Sequence, residues 1–239
     1  MKLNKLIFTQ NECYKAGKKI TVKGIMVHST GANNPWLKRY VPDEKNLGKN
    51  TGNNHWNVPK PDGKKMCVHG FIGKIADGTV ATYQALPWNH RGWHAGGSAN
   101  DTHIGFEICE DGLNDATYFN AVYKEAVELC AYLCKEYGLT EKNIICHSEG
   151  YKKGIASNHA DVMHWFPKHG KSMDTFRADV KKLLTTPVEE LTRVNDIVWE
   201  LSYRGIISDT NLWLKKLEED KNAYWLARKT AKYLMEKNV

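Results

Sequence analysis

The sequence contains no apolar run approaching the roughly 20 residues that a bilayer-spanning helix needs, so insertion into a membrane is not expected. Its first residues, MKLNKLIFTQNEC, hold only a scrap of apolar sequence before polar residues resume, and no signal peptide is expected. There is no Arg-rich stripe and no nucleic-acid motif, which argues against a nucleic-acid partner. No internal repeat or low-complexity tract is present. The six cysteines include no CxxC pair and lack the spacing of a secreted disulfide framework. They are expected to be reduced, mostly buried thiols in a protein made in a reducing compartment. Histidine is absent beyond His169, so imidazole chemistry is confined to the first part of the chain.

What is present is enough for one sizeable domain and a small appendage: 239 residues, 41% of them hydrophobic. Nine of the 34 basic and nine of the 27 acidic residues lie from Thr186 onward, so the net charge of +7 belongs to residues 1–185. Such an excess can serve nucleic acid, an anionic membrane or an acidic polymer such as a cell wall. The segment TTPVEE marks the boundary. Thr186 reads as an N-cap, Pro187 as the first helical position and Glu189 as the partner of a capping box.

Beyond it, Val194, Ile197, Val198 and Leu201 recur at helical spacing and stop before Arg204-Gly205. Ser208-Asp209-Thr210 offers caps for LWLKKLEE. The last segment places Ala223, Leu226, Ala227, Thr230 and Leu234 on one face. Three short amphipathic helices predict a compact bundle, with Trp199, Trp213 and Trp225 mostly as core anchors. In the first part KGIMVHS, GFIGKI-ADG-TVATY and HIGFEIC read as strands, the second with a turn at ADG. A helix is expected over Tyr118–Tyr137, with Val122, Ala126, Leu129 and Leu133 inward and Cys130 and Cys134 packing on a face. A short strand, Asn143–Cys146, delivers His147, and a second helix spans Met173–Leu184. Alternating strands and helices argue an α/β fold.

His28 and His147 each end an apolar run, where an imidazole would emerge from the edge of a sheet. Asp161 follows His147 across a Gly-containing loop. Two imidazoles and a carboxylate supply three corners of a tetrahedral Zn²⁺ site with the fourth open, although a histidine at a strand end is often only structural. Glu107 interrupts the apolar run HIGFEIC. It is either a surface-facing carboxylate or one poised to move a proton beside a metal-activated water.

Taken in order, VHST, a DG-turn hairpin, RGWHAGG, THIGFEI and CHSEG…HAD resemble the zinc-dependent N-acetylmuramoyl-L-alanine amidases. That group includes the phage lysozyme-amidases and the peptidoglycan recognition proteins, and the version here most resembles endolysins of Clostridium-infecting phages. The resemblance covers roughly Lys23 to Leu184. It implies a central mixed sheet flanked by helices, with a small helical bundle following: a zinc amidase catalytic domain over 1–185 and a helical domain over 186–239. It implies His28, His147 and Asp161 as zinc ligands and Glu107 as the catalytic carboxylate. Trp93 and His94 are implied as substrate contacts. His159 stands where branches of the family place an oxyanion-supporting lysine, and it is also a rival third ligand. The tyrosine that some branches carry in the hairpin strand has its nearest match at Val68-His69, so that role is absent or passes to Glu107. His164 and His169 read as supporting or surface groups, and His55, His69, His90 and His103 as structural or rim residues.

The implied activity is hydrolysis of the amide between N-acetylmuramic acid and L-alanine in bacterial peptidoglycan, by an endolysin or autolysin. Such a lysin would be made in the host cytoplasm and reach the wall after release. The alternative is a non-catalytic peptidoglycan-binding protein on the same scaffold. A glycosidase would need two acids flanking a groove, and only Glu107 stands out. The helical tail would serve cell-wall targeting or self-association into a homo-oligomer.

Overall fold

A computed structural model describes residues 1–185 and 194–237. The chain forms two compact units, the first reaching to Lys181 and the second beginning at Lys182. The first contains β1 (Leu3–Lys5), α1 (Glu12–Ala16), β2 (Gly24–Asn33), β3 (Gly70–Lys74), β4 (Val80–Gln84), β5 (His103–Glu110), α2 (Ala116–Tyr137), β6 (Ile144–Cys146), α3 (His147–Lys152) and most of α4 (Met173–Thr185). The six strands make one mixed sheet in the order β1-β4-β3-β5-β2-β6. Only the β3–β4 pair is antiparallel. It is the expected hairpin: Gly78 takes φ +84, and the Asp77 carboxylate accepts from the Thr79 amide at 2.9 Å.

β2 and β5 lie side by side, each with a neighbouring strand on both sides. Because side chains alternate across a strand, Met26 and His28 point to one face while Ile25 and Val27 point to the other. The parallel register sets Gly105 beside Met26 and Glu107 beside His28. α2 packs on β3 and β4. Its predicted inward residues Val122, Ala126, Leu129 and Leu133 are all buried. Asp115 caps it by accepting from the Thr117 and Tyr118 amides, and Gly138 closes it in the left-handed conformation. Cys130 and Cys134 are buried free thiols, as are Cys109 and Cys146.

The remaining two cysteines contradict the sequence expectation: Cys13 and Cys67 form a disulfide across 54 residues. Cys13 sits on α1, which follows an Asn11 cap, and the Asn11 amide group also donates to the Trp56 and Met66 carbonyls. These bonds draw α1 to the segment carrying Cys67. Nothing in the cysteine spacing marks the pair, because only the fold brings the two loops together. The strand β1 and helix α1 were likewise not anticipated; both are too short for a periodic pattern to declare them.

In the second unit α5 (Val194–Tyr203), α6 (Thr210–Glu219) and α7 (Lys221–Lys237) form the expected bundle. Ile197, Val198, Leu201, Ile207, Leu217, Ala227 and Ala231 are its buried core. Gly205 at φ +69 ends α5, and the Asp209 carboxylate caps α6 through the Leu212 amide. Trp213 packs partly buried against the core, whereas Trp225 and Leu226 are exposed, so the inward stripe of α7 runs through Ala223, Ala227 and Ala231 rather than through Leu226. The predicted cap at Thr186–Glu189 lies outside the described residues.

Candidate active site

His28 occupies the interior of β2 rather than a sheet edge, and it is buried between β5 and β6. His147 opens α3 directly after β6. The helix start is rigid: Glu149 accepts from the Cys146 amide and is gripped through both carboxylate oxygens by Arg177 of α4, each contact at 3.0 Å. Asp161 arrives on the loop after α3, where its carbonyl accepts from the Ser148 amide at 3.1 Å. Three residues far apart in sequence thus meet on rigid backbone. Asp161 Oδ2 lies 3.1 Å from His28 Nδ1 and 3.7 Å from His147 Nδ1, and the two Nδ1 atoms are 3.1 Å apart.

A tetrahedral zinc with bonds of about 2.0–2.2 Å holds its ligand atoms about 3.3–3.6 Å apart. The observed triangle fits that size, and its donor set of two imidazoles and one carboxylate suits zinc. Burial alone would keep His28 neutral. The hydrogen bond to Asp161 and the charges of Glu107 and Asp161 outweigh it and lift the His28 pKa above its ordinary value. For Asp161, burial would raise the pKa, yet the bond to His28 and the charges of both histidines bring it below the usual carboxylate range. The group of three is therefore built to hold positive charge, either a proton or a cation. Burial and the neighbouring charge of His28 push His147 down to about 4, so it offers a neutral ring.

Glu107 stands next to His28 on the same face. Burial pushes its carboxyl up to about 7, with His28 opposing and Asp161 and Glu110 reinforcing the rise. Its Oε2 is enclosed without a hydrogen-bond partner. A half-buried carboxyl bordering the cleft, with its pKa raised toward neutrality, is suited to accepting and returning a proton. His159 stacks on His147, with ring centroids 4.6 Å apart and planes at 15°. Its Nδ1 is 3.9 Å from Asp161 and its side chain is 62% exposed, so it sits at the mouth of the triangle rather than in it.

These groups line a cleft of about 940 Å³, which Trp93, Trp56, Tyr40, Arg39 and Lys64 also border. Trp93 is 46% exposed on the rim, with the Arg91 guanidinium 5.1 Å from its ring. His94 borders the cleft too, but its ring is bonded to His28, Nδ1 to Nε2 at 2.9 Å. His164 bonds Glu110, and His169 stacks on Phe119. His69 is wholly buried with both ring nitrogens against backbone groups. Sequence reasoning missed Tyr40, which enters from the loop after β2, and Ser157, which meets His147 Nε2 at 3.2 Å. Neither belongs to a spaced motif, so no sequence signal could have found them.

A mixed sheet flanked by helices, with a cleft gathering two histidines and two carboxylates around one point, defines an α/β protein whose His28, His147 and Asp161 could hold a metal ion. Residues 18–165 match the family model described as N-acetylmuramoyl-L-alanine amidase, and the chain belongs to that family. A 68-residue stretch is 40% identical to N-acetylmuramoyl-L-alanine amidase XlyA of Bacillus subtilis (strain 168); it spans 27% of this chain and 22% of that protein. Among solved structures, the Staphylococcus aureus hydrolase AmiA in complex with its ligand superposes with a TM-score of 0.56 at 17% identity, covering 76% of this chain and 81% of that one. The catalytic domain of XlyA gives 0.54 at 22% identity, covering 75% and 99%. The PlyG catalytic domain gives 0.53 at 19% identity, covering 78% and 99%. These likenesses show the fold.

Proposed function

We propose that this chain is a zinc-dependent amidase that hydrolyses the bond between N-acetylmuramic acid and L-alanine in bacterial peptidoglycan, acting as an endolysin or autolysin. The observation that carries the reading is the convergence of His28, His147 and Asp161 beside Glu107, whose Oε2 is enclosed without a hydrogen-bond partner. Family membership supplies the substrate bond. The three residues would hold the zinc, which supplies Lewis acidity for the amide carbonyl and lowers the pKa of the water. Glu107 takes the proton of the attacking water and returns it to the leaving amine. His159, at the mouth, donates a hydrogen bond to the oxyanion as it develops. Trp93 offers an aromatic face on the rim for the substrate.

On this reading residues 1–185 form the catalytic domain and residues 186–239 a helical domain that targets the wall or pairs with a second copy. The lysin is made in the cytoplasm of the host and meets the wall after release.

The test is a mass-spectrometric digest of purified cell walls with and without a chelator. The expected products are peptides with a free N-terminal L-alanine, no new reducing sugar ends, and loss of release on chelation. New reducing ends would make the enzyme a glycosidase. Binding without release would make it a non-catalytic wall-binding protein.

A further inference from the structure

The geometry assigns to His94 and Ser157 the task of fixing which ring nitrogen His28 and His147 present to the cation. This rests on the zinc reading above and goes beyond it. An imidazole binds a metal only through a nitrogen that carries no proton, so each ligand histidine must keep its proton on the other nitrogen.

The hydrogen-bond chain behind His28 settles where that proton lies. His94 Nε2 meets the His103 carbonyl at 3.2 Å, and a carbonyl only accepts, so His94 carries its proton on Nε2. His94 Nδ1 is then a lone-pair acceptor. Its partner at 2.9 Å, His28 Nε2, must donate. That leaves His28 Nδ1, the atom facing Asp161 and His147, as the nitrogen free to bind. A second chain acts on the other ring. The Ser157 hydroxyl donates to the Ala95 carbonyl at 3.2 Å, so its oxygen accepts from His147 Nε2 at 3.2 Å. His147 also turns Nδ1 into the triangle.

Both chains end on backbone carbonyls whose direction the fold fixes. The acceptors are held at the root of one loop: His94 and Ala95 take their amides to the buried Asn100 side chain at 2.8 and 2.9 Å, and the Ser157 amide bonds the Ala95 carbonyl.

Two glycines of the amidase-like motifs gain a reason here. A Cβ at Gly105 of β5 would lie 2.4 Å from His94 Nδ1, and one at Gly96 would lie 2.5 Å from Ser157 Oγ. Without a Cβ at either position, the imidazole can approach β5 and the hydroxyl can close on the loop. His94 is thus a positioning residue acting through His28, in contrast to the substrate contact that the resemblance implied.

The experiment uses the full chain and reads zinc affinity by competition against a chromogenic chelator. His94→Ala and Ser157→Ala are expected to weaken zinc binding by about 10- to 100-fold, the usual cost of losing an orienting partner behind a metal-bound histidine. His94→Asn, whose side-chain oxygen can accept where Nδ1 does, should recover much of the loss. Gly105→Ala should weaken binding with the imidazole still present. Long-range ¹H–¹⁵N spectra of the zinc-loaded wild type, which need no variant to fold, should show His28 and His147 protonated on Nε2. Either ring protonated on Nδ1 would overturn the assignment. So would variants that hold zinc as tightly as wild type while losing only substrate affinity, which would return His94 to the substrate. If wild type takes up no zinc at all, the zinc reading itself fails and this inference with it.

Discussion

At the residue scale the most informative group is Glu107, whose burial is costly to the fold and, on the proposed mechanism, useful to the chemistry. Its carboxyl rises from an ordinary 4.5 to about 7, so the folded state retains the proton that the unfolded chain gives up. The stability this group allows is present below pH 4.5 and lost as the pH rises through 7. In metal-free protein Glu107→Gln should therefore gain stability over wild type as the pH climbs from 5 to 8, by about 1–3 kcal/mol at the upper end. Urea unfolding at both pH values measures it, and a constant difference would remove the burial cost from the account. The same variant should bind zinc and lose turnover by about 10²–10⁴-fold. A near-normal kcat would remove Glu107 from the proton path. Neighbouring residues separate in the same way. His28→Ala and Asp161→Ala should lose zinc by elemental analysis. His159→Ala should keep zinc and lose about 10²–10³-fold in kcat, the typical effect of removing one oxyanion donor. Loss of metal in that variant would instead make His159 a ligand.

At the scale of elements the cleft is assembled from three pieces of backbone whose stiffness has separate origins. β2 and β5 are central strands, hydrogen-bonded on both sides. α3 is anchored by the Glu149–Arg177 fork to α4. The rim carrying Trp93 pairs its backbone with Cys67, at 3.0 and 3.2 Å, and Cys67 is bound to Cys13 of α1. The disulfide thus ties the N-terminal segment to the wall of the cleft. Closing a loop across 54 residues restrains the unfolded chain by about 4 kcal/mol on a chain-entropy estimate, with measured effects usually 2–4. Cys13→Ser should destabilise the oxidised protein by about that amount in urea titration. Equal midpoints for the two, under oxidising conditions, would mean that the bridge does not form.

At the scale of the whole molecule, each of the two units has its own buried core. Removal of residues 187–239 should leave zinc binding and the cleavage of small soluble muropeptides within about two-fold of the full chain, since every group of the cleft lies before that point. Pelleting on cell walls and sedimentation of the shortened chain then test the two roles proposed for the helical part. If neither changes, targeting and self-association are both wrong. Loss of zinc on truncation would show that the first unit depends on the second.

Much of this was legible in the sequence. The apolar runs in GIMVHS and HIGFEIC, the turn at ADG and the 3.6-residue stripe of α2 determine strands, hairpin and helix, because local backbone preference and burial act over a few residues. The same apolar runs flagged Glu107 as a charge among apolar neighbours, and a third, Asn143–Cys146, joined GIMV in marking His147 and His28 as polar ends. Only tertiary structure decided the rest. The Cys13–Cys67 bridge, the entry of Tyr40 and Ser157 into the site, and the hydrogen bond between His94 and His28 all depend on contacts between segments tens of residues apart. Leu226 shows the limit on a single helix: Ala223, Ala227 and Leu234 of the expected stripe pack on the core, but Leu226 at its edge stays in solvent, since the partner helices choose how wide the inward side of α7 is. A sequence pattern states which residues want to be buried or paired, and the packing of distant strands and loops determines with whom.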